Sequence, residues 1–392
     1  MAAGFSLAAL LSPLSVAEFR ARFWTRQPYL RHFSLPQLRK IVTGLRFADV
    51  SELLADSQAE NVKLWTKLAD AATEFSAPVA EAYAHYRAGK TLSFARKDPL
   101  VRAWLAGLER ELELTPSLDG SARYGAVFAS PGQAGAEMHF DRYDILSIQL
   151  GGTKRWWVAP PKVPFPTTTW GVGDVYGPSF DARAYRDGFM LPERRDMQKI
   201  SVRPGSVFYL PRGWWHETEA DRGEGSTCLN FAFSPPTRTD TLTTLARVGF
   251  EESAALRQWS ESSPRRLAAE KKKLIAALRS LANDAPALVD DFFGAPYRRG
   301  QPVRRNRLTS ITFADEVEGE HNTIVVHRGA KLKQYTLRLS PEGAAICRYL
   351  VAQPERITVA DTMKRIPGVQ KSEVEALLEA FVTVRLATGL DR

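Results

Sequence analysis

AEMHFDRYDILSIQL, residues 136–150, decides how this chain is read. It sets a histidine two positions before an aspartate and then runs into alternating apolar residues. In an extended strand, side chains at i and i+2 share a face. His139 and Asp141 then project together from the start of a strand, with Phe140 turned to the other side. That geometry suits two ligands of one metal. It equally suits the polar end of an ordinary half-buried strand, so the pair alone decides little.

A third ligand comes from RPGSVFYLPRGWWHETEA, residues 203–220. Gly205 makes a turn, SVFYLP a strand, and RGWWH returns His216 at the start of the next strand. Two histidines and a carboxylate form the facial triad of non-haem Fe(II) oxygenases, which leaves positions open for cosubstrate and oxygen. A structural zinc site needs a fourth protein ligand, and no neighbouring Cys or His supplies one. His32, His85, His321 and His327 have no matching context and read as surface or satisfied core residues.

Around these ligands, RYGAVFAS, YDILSIQL, KRWWVAP, ISVRPGSVFYLP and TCLNFAF are short apolar runs broken by Gly and Pro, the pattern of an all-β unit. The first hundred residues read as mainly helical. Ser15 with Glu18 is a capping box, and Pro28 is expected to end its helix. After Pro235-Pro236 an amphipathic helix carries Leu267, Leu274, Leu278 and Leu281 on one face. APYRRGQPVRRNR is a basic linker. Two strand regions follow, with helices expected near Ser340, Thr358 and Ser372, the last with Glu375 as a second capping box. A hairpin among helices suggests a small winged-helix-like unit.

With 392 residues, 44% of them hydrophobic, the chain has globular composition and length for two or three domains. No apolar run approaches a membrane span. The apolar N-terminus lacks the basic region of a secretory signal and reads as a helix. Cys228 and Cys347 imply no disulfide framework, so a cytoplasmic location is expected. The net charge of +9 fits an acidic or nucleic-acid partner but does not require one.

The segment 123–236 resembles the JmjC branch of the cupin-fold, Fe(II)- and 2-oxoglutarate-dependent oxygenases, on HFDRYDILSIQLGGTKRWWVAPP and PGSVFYLPRGWWHETEA. The wider layout is similar to that of the ribosomal oxygenases. The resemblance implies an α+β chain in three parts. Residues 1–236 would form the oxygenase domain, a double-stranded β-helix (jelly roll) with its N-terminal helices. Residues 237–300 would form a helical dimerisation segment, and 301–392 a winged-helix-like domain.

It also implies the cofactors Fe(II), 2-oxoglutarate and O2, with His139, Asp141 and His216 as metal ligands. The distal carboxylate of 2-oxoglutarate needs a cation. Lys154 stands where the family places one, and strand alternation turns Arg155 to the other face. Asn230, Tyr124 and Ser130 are further candidates to contact the cosubstrate, although buried Asn and Tyr residues equally serve structure. The long stretch between Lys162 and Gln198 is expected to cover the mouth of the barrel. Trp156, Trp157, Trp170, Trp214 and Trp215 would either line a recognition groove or pack the core. Arg142 or Asp144 would orient a substrate.

The expected activity is hydroxylation of a side chain in a ribosomal protein or a ribosomally made peptide, by a homodimer. The alternatives are a free amino acid hydroxylase, or a non-catalytic cupin-like regulator that contacts DNA. The intact triad speaks against the regulator.

Overall fold

The computed structural model describes residues 5–45, 49–57, 59–66, 75–96, 98–114, 124–161, 164–167, 169–171, 192–251, 256, 267–293, 301–306, 309–313, 323–328, 333–353, 356–383 and 387–389. The chain divides into two compact units. The first comprises Met1–Leu114 with Ala122–Ser234, the second Thr115–Ser121 with Pro235–Arg392.

The first unit is built on antiparallel strands that alternate between two sheets. Its helices are α1 (Leu7–Leu11), α2 (Val16–Arg22), α3 (Leu35–Ile41), α4 (Val50–Ala55), α5 (Val79–Arg87) and α6 (Pro99–Glu111). Its early strands are β1 (Tyr29–His32), β2 (Asn61–Trp65), β3 (Phe75–Pro78), β4 (Thr91–Ala95), β5 (Tyr124–Ser130), β6 (Gly135–Phe140) and β7 (Asp144–Gly152). The later ones are β8 (Lys154–Ala159), β9 (Trp170–Gly171), β10 (Gln198–Val202), β11 (Ser206–Leu210), β12 (Trp215–Ala220) and β13 (Ser226–Phe233). The major sheet has the order β1-β11-β7-β13-β5-β4-β2-β3 and the minor sheet β10-β8-β12-β6-β9. From β6 to β8, and again from β10 to β13, successive strands change sheet. This is a jelly roll, and with the flanking helices the unit is α+β.

The two faces of the major sheet differ. Leu146, Ile148, Val207, Leu229 and Phe231 pack against helix residues such as Leu10, Phe19, Leu38, Val101 and Leu108. The inner face meets the minor sheet, where Trp156, Val158, Ile200 and Val202 pack on Phe208 and Leu210. The central strand β7 is therefore buried on both sides from Asp144 to Leu150. Alternation in DILSIQL consequently separates helix-facing from barrel-facing residues, and neither face is exposed to water.

Several sequence expectations change. The first hundred residues contain four strands, β1 to β4, all of which extend the major sheet, β1 on one edge and β4, β2 and β3 on the other. Strand β2 shows a clear period of two in burial, but over too few residues to outweigh the helical surroundings. The Ser15–Glu18 capping box forms. Its helix stops at Arg22, well before Pro28, where Thr25 adopts a left-handed turn with φ of 60°.

In the second unit, helices α7 (Arg238–Glu251) and α8 (Leu267–Phe293) pack on each other. Helix α8 continues through Pro286, which removes a single backbone donor. Strands β15 (Thr309–Phe313), β16 (Thr323–Arg328) and β17 (Lys333–Arg338) form a three-stranded sheet, and β14 (Val303–Arg305) pairs with β18 (Ala387–Gly389). Helices α9 (Pro341–Ala352) and α10 (Val359–Arg365) are capped by Ser340 and Thr358. Helix α11 is Lys371–Thr383, so Ser372 lies inside its first turn and is not its cap. No helix among the described residues is long and apolar enough to cross a membrane.

Asp144 joins the jelly roll to its helical cover. Tyr209 Oη donates to Asp144 Oδ1 at 2.5 Å, and the Thr25 amide donates to Tyr209 Oη at 2.8 Å. Burial pushes the Asp144 carboxyl up to about 6 from 3.8, against the hydrogen bond from Tyr209. Between those values the folded chain binds more protons than the unfolded one, so stability falls as pH rises. At roughly 1.4 kcal/mol per pH unit the full effect is on the order of 3 kcal/mol. Asp144→Asn keeps an acceptor for Tyr209 but does not titrate. Thermal melting from about pH 4 to about pH 6.5 should show the wild type losing stability relative to this variant. Parallel curves would remove Asp144 as the source of the dependence.

Candidate metal centre

Antiparallel pairing of β6 with β12 sets His139 directly opposite His216, so the two histidines are a cross-strand pair. Their ring centroids lie 4.0 Å apart. His139 stands near the end of β6 and not at the start of a strand, which corrects the sequence reading. Asp141 follows the strand, in the turn that carries the chain across to β7. Here the i, i+2 relation still brings the two side chains together. The Gly213 amide donates to the Asp141 carbonyl at 2.8 Å, which ties this turn to the one that delivers His216. Gly213 has a φ of 80°, and a Cβ there would meet Pro166 at 2.7 Å.

The three side chains offer donors to one point. Asp141 Oδ2 is 3.8 Å from His139 Nε2 and 3.7 Å from His216 Nε2, and all three donor atoms lie within 4.8 Å of one another. Each histidine's Nδ1 faces the carbonyl two residues before it, Glu137 at 2.6 Å and Trp214 at 3.0 Å. A carbonyl only accepts, so each Nδ1 carries the proton and each Nε2 presents a lone pair inward. Burial, reinforced by His139 and Lys154, holds His216 well below its usual range, so it is a neutral donor. Burial raises the Asp141 carboxyl, against His139 and hydrogen bonds from Tyr143 and Thr169. Two neutral nitrogens and one buried carboxylate oxygen fit a divalent cation that keeps further positions open.

The triad lies in the wall of a cavity of ≈ 630 Å³, lined from both sheets. Lys154 and Asn230 also line it. Strand β8 alternates as its sequence predicts. Lys154 and Trp156 are buried on the inner face, while Arg155 turns outward to Glu219 at 3.0 Å and Asp221 at 3.1 Å. Lys154 is only 4% exposed and has no ion pair among the described residues. Burial lowers its pKa, with Cys228 opposing. Asn230 Oδ1 is buried without a hydrogen-bond partner among the described residues. A buried ammonium without an ion pair among the described residues, in the wall that holds the triad, fits an anionic chelate such as 2-oxoglutarate; the Asn230 oxygen, an acceptor, adds nothing to holding an anion. Lys154 would hold the distal carboxylate of 2-oxoglutarate.

Other candidates fall elsewhere. Ser130 is off the cavity wall and accepts from Thr91 Oγ1 at 3.3 Å. Tyr124 begins β5, but its side chain lies outside the described residues. Asp144 is committed to Tyr209, and Arg142 is exposed outside the lining, so neither is placed to orient a substrate. Of the five tryptophans, Trp156 lines the cavity and stacks on His216 at 5.4 Å. Trp215 is buried against Phe140, and Trp157 lies on the outer face under Arg194. Trp156, Trp157 and Trp215 therefore do not share one groove, and the Trp170 side chain is outside the described residues. The loop of residues 172–191, within the segment expected to cover the barrel mouth, is also outside them. The sequence reading missed Trp65, Tyr143 and Thr169 in the wall. Tyr143 stands two residues after Asp141 and was accessible to the same spacing argument; Trp65 and Thr169 carry no local signal.

The segment that carries the triad is similar to a known family. Residues 113–245 match the JmjC domain family. The chain is 27% identical over 336 residues to YxbC of Bacillus subtilis, covering 78% of this chain and 98% of that protein. It is 27% identical over 239 residues to ribosomal oxygenase 2 of Rattus norvegicus, covering 55% of this chain but 44% of that one. Among solved structures it is similar to YcfD, a ribosomal oxygenase from Escherichia coli in complex with cobalt and 2-oxoglutarate. That match has 16% identity and a TM-score of 0.46, covering 97% of this chain and 99% of the other.

Removing one partner of an enclosed charge pair costs roughly 3–5 kcal/mol, or about two to four decades in affinity. Lys154→Ala should raise the requirement for 2-oxoglutarate by that factor and leave metal affinity nearly unchanged. Lys154→Arg should keep part of the function. Arg155→Ala, on the outer face, should change little. Titration of 2-oxoglutarate against the three variants checks this, and a damaging Arg155→Ala beside a silent Lys154→Ala would reverse the assignment.

Proposed function

We propose that this chain, whose residues 113–245 match the JmjC domain family and carry the metal triad, acts as an Fe(II)- and 2-oxoglutarate-dependent oxygenase that hydroxylates a side chain of a protein or a ribosomally made peptide. The observation that carries the reading is the convergence of the triad and the unpaired Lys154 on one cavity. At ≈ 630 Å³ it has the size of a small-ligand site, with room for a chelate and an entering side chain. A relative named ribosomal oxygenase 2 supports a ribosomal protein as the substrate.

When bound, Fe(II) with 2-oxoglutarate and O2 supplies oxidative decarboxylation to succinate and CO2, coupled to hydroxylation of a C–H bond. The chain's own residues hold and orient. His139, Asp141 and His216 would hold the metal, with the two imidazoles fixed by the Glu137 and Trp214 carbonyls. Lys154 would hold the distal carboxylate of the cosubstrate, with Asn230 in the same cavity wall. Trp65, Phe128 and Trp156 make the wall apolar and exclude water around the reacting carbon.

The layout we infer is an oxygenase part over 1–236, a helical dimerisation segment over 237–300 and a winged-helix-like part over 301–392, in a cytoplasmic homodimer. Leu274, Ile275 and Leu278 on α8 are 47%, 49% and 59% exposed, an apolar stripe that a second copy would cover. Light scattering that finds only monomer at micromolar concentration rejects the dimer.

The function is tested by incubating the full chain aerobically with Fe(II), 2-oxoglutarate and ribosomal-protein peptides. The expected result is succinate formed in step with the gain of one oxygen by a peptide. His216→Ala should give neither product while remaining folded, because it removes a ligand and little core. Coupled turnover on free amino acids but on no peptide would move the substrate to the small-molecule class.

A further inference from the structure

The segment Thr169–Gly171, which leads into the long insertion between the two ligand strands, reaches two of the three metal ligands. Strand β9 pairs with the end of β6, so that Gly171 faces His139 and Trp170 faces Phe140 across the minor sheet. A Cβ on Gly171 would lie 2.9 Å from the His139 Cβ. The absence of a side chain therefore allows the strand to lie this close to the ligand.

Thr169 meets the carboxylate. Its Oγ1 accepts from the Arg142 amide at 3.1 Å and faces Asp141 Oδ1 at 3.4 Å. The amide takes an acceptor site on the hydroxyl, so the hydroxyl proton is left to point at the carboxylate. The two oxygens of Asp141 then have different surroundings. Oδ2 faces both imidazole Nε2 atoms, and Oδ1 faces the threonine.

We propose that Thr169 is a positioning residue for the metal centre. Together with Tyr143, whose side chain also hydrogen-bonds this carboxylate, it holds Asp141 so that the carboxylate binds through Oδ2 and leaves a coordination position for the cosubstrate, while Gly171 sets His139 beside it. The proposal rests on the reading of His139, Asp141 and His216 as the metal ligands. A hydroxyl tethered to the Arg142 amide suits this task better than a longer, freer polar side chain.

The test uses the full chain as Thr169→Val, Thr169→Ser and Gly171→Ala, each checked for wild-type folding by circular dichroism. Mn(II) binding is titrated by electron paramagnetic resonance. The charge-transfer band of the Fe(II)–2-oxoglutarate complex is then recorded without oxygen. Partners of metal ligands are worth about 10–100-fold in metal affinity. With its long contact, Thr169→Val should weaken Mn(II) about 10-fold and shift the band, because Asp141 Oδ1 loses the hydroxyl that faces it and keeps only the hold from Tyr143. Thr169→Ser should restore both. Gly171→Ala should also weaken Mn(II), through His139, with the Thr169 contacts kept. An unchanged affinity and band in Thr169→Val overturn the positioning role, and an unchanged affinity in Gly171→Ala overturns the part assigned to β9. A folded wild type that takes up no Mn(II) overturns the metal-centre reading itself, and this proposal with it.

Discussion

The cross-strand pairing of His139 with His216 is the constraint on which the chemistry of the first unit depends. Because side chains alternate along a strand, a slip of one residue between β6 and β12 would turn one imidazole out of the barrel. The register is secured from outside the site. β12 pairs on its other edge with β8, with Trp215 opposite Ala159 and Ala220 opposite Lys154. The turns before His216 and after His139 are joined by the bond from Gly213 to Asp141. The same ladder that places the histidines therefore places Lys154, and metal and cosubstrate sites share one register.

Electrostatics make this arrangement costly without a ligand. The inner face of the jelly roll buries Asp141, His216 and Lys154 together. Burial raises the carboxyl and lowers the imidazole and the ammonium, in each case against the charged form. A divalent cation favours the ionised carboxylate and a carboxylate ligand favours the ammonium, so metal and cosubstrate each offset a cost already present in the folded chain. Arg155, one residue away, has satisfied its charge on the outer face.

Much of this was legible in the sequence because it follows from the strand period. The i, i+2 spacing found His139 and Asp141, the Pro-Gly turn and apolar run found His216, and alternation separated Lys154 from Arg155. What the period cannot express was missed. The spacing found Asp141 but not its place beyond the end of β6, in the turn to β7. Both faces of β7 are buried because helices cover one of them, so alternation there does not mark a solvent face. The wall contributed by Trp65 comes from a short strand far away in sequence, and Thr169 reaches Asp141 only through the pairing of β9. Ser130 looked like a cosubstrate contact because it ends a barrel strand, but its hydroxyl is engaged by Thr91.

The central claim is that the triad and Lys154 form one site for one chelating ligand. Calorimetric titration of 2-oxoglutarate into the full chain, with and without Mn(II), tests it most directly. One end of the ligand needs the metal and the other needs Lys154, so binding should be strong with Mn(II) and nearly lost without it. Binding of equal strength in the absence of metal, or none in its presence, would contradict the account.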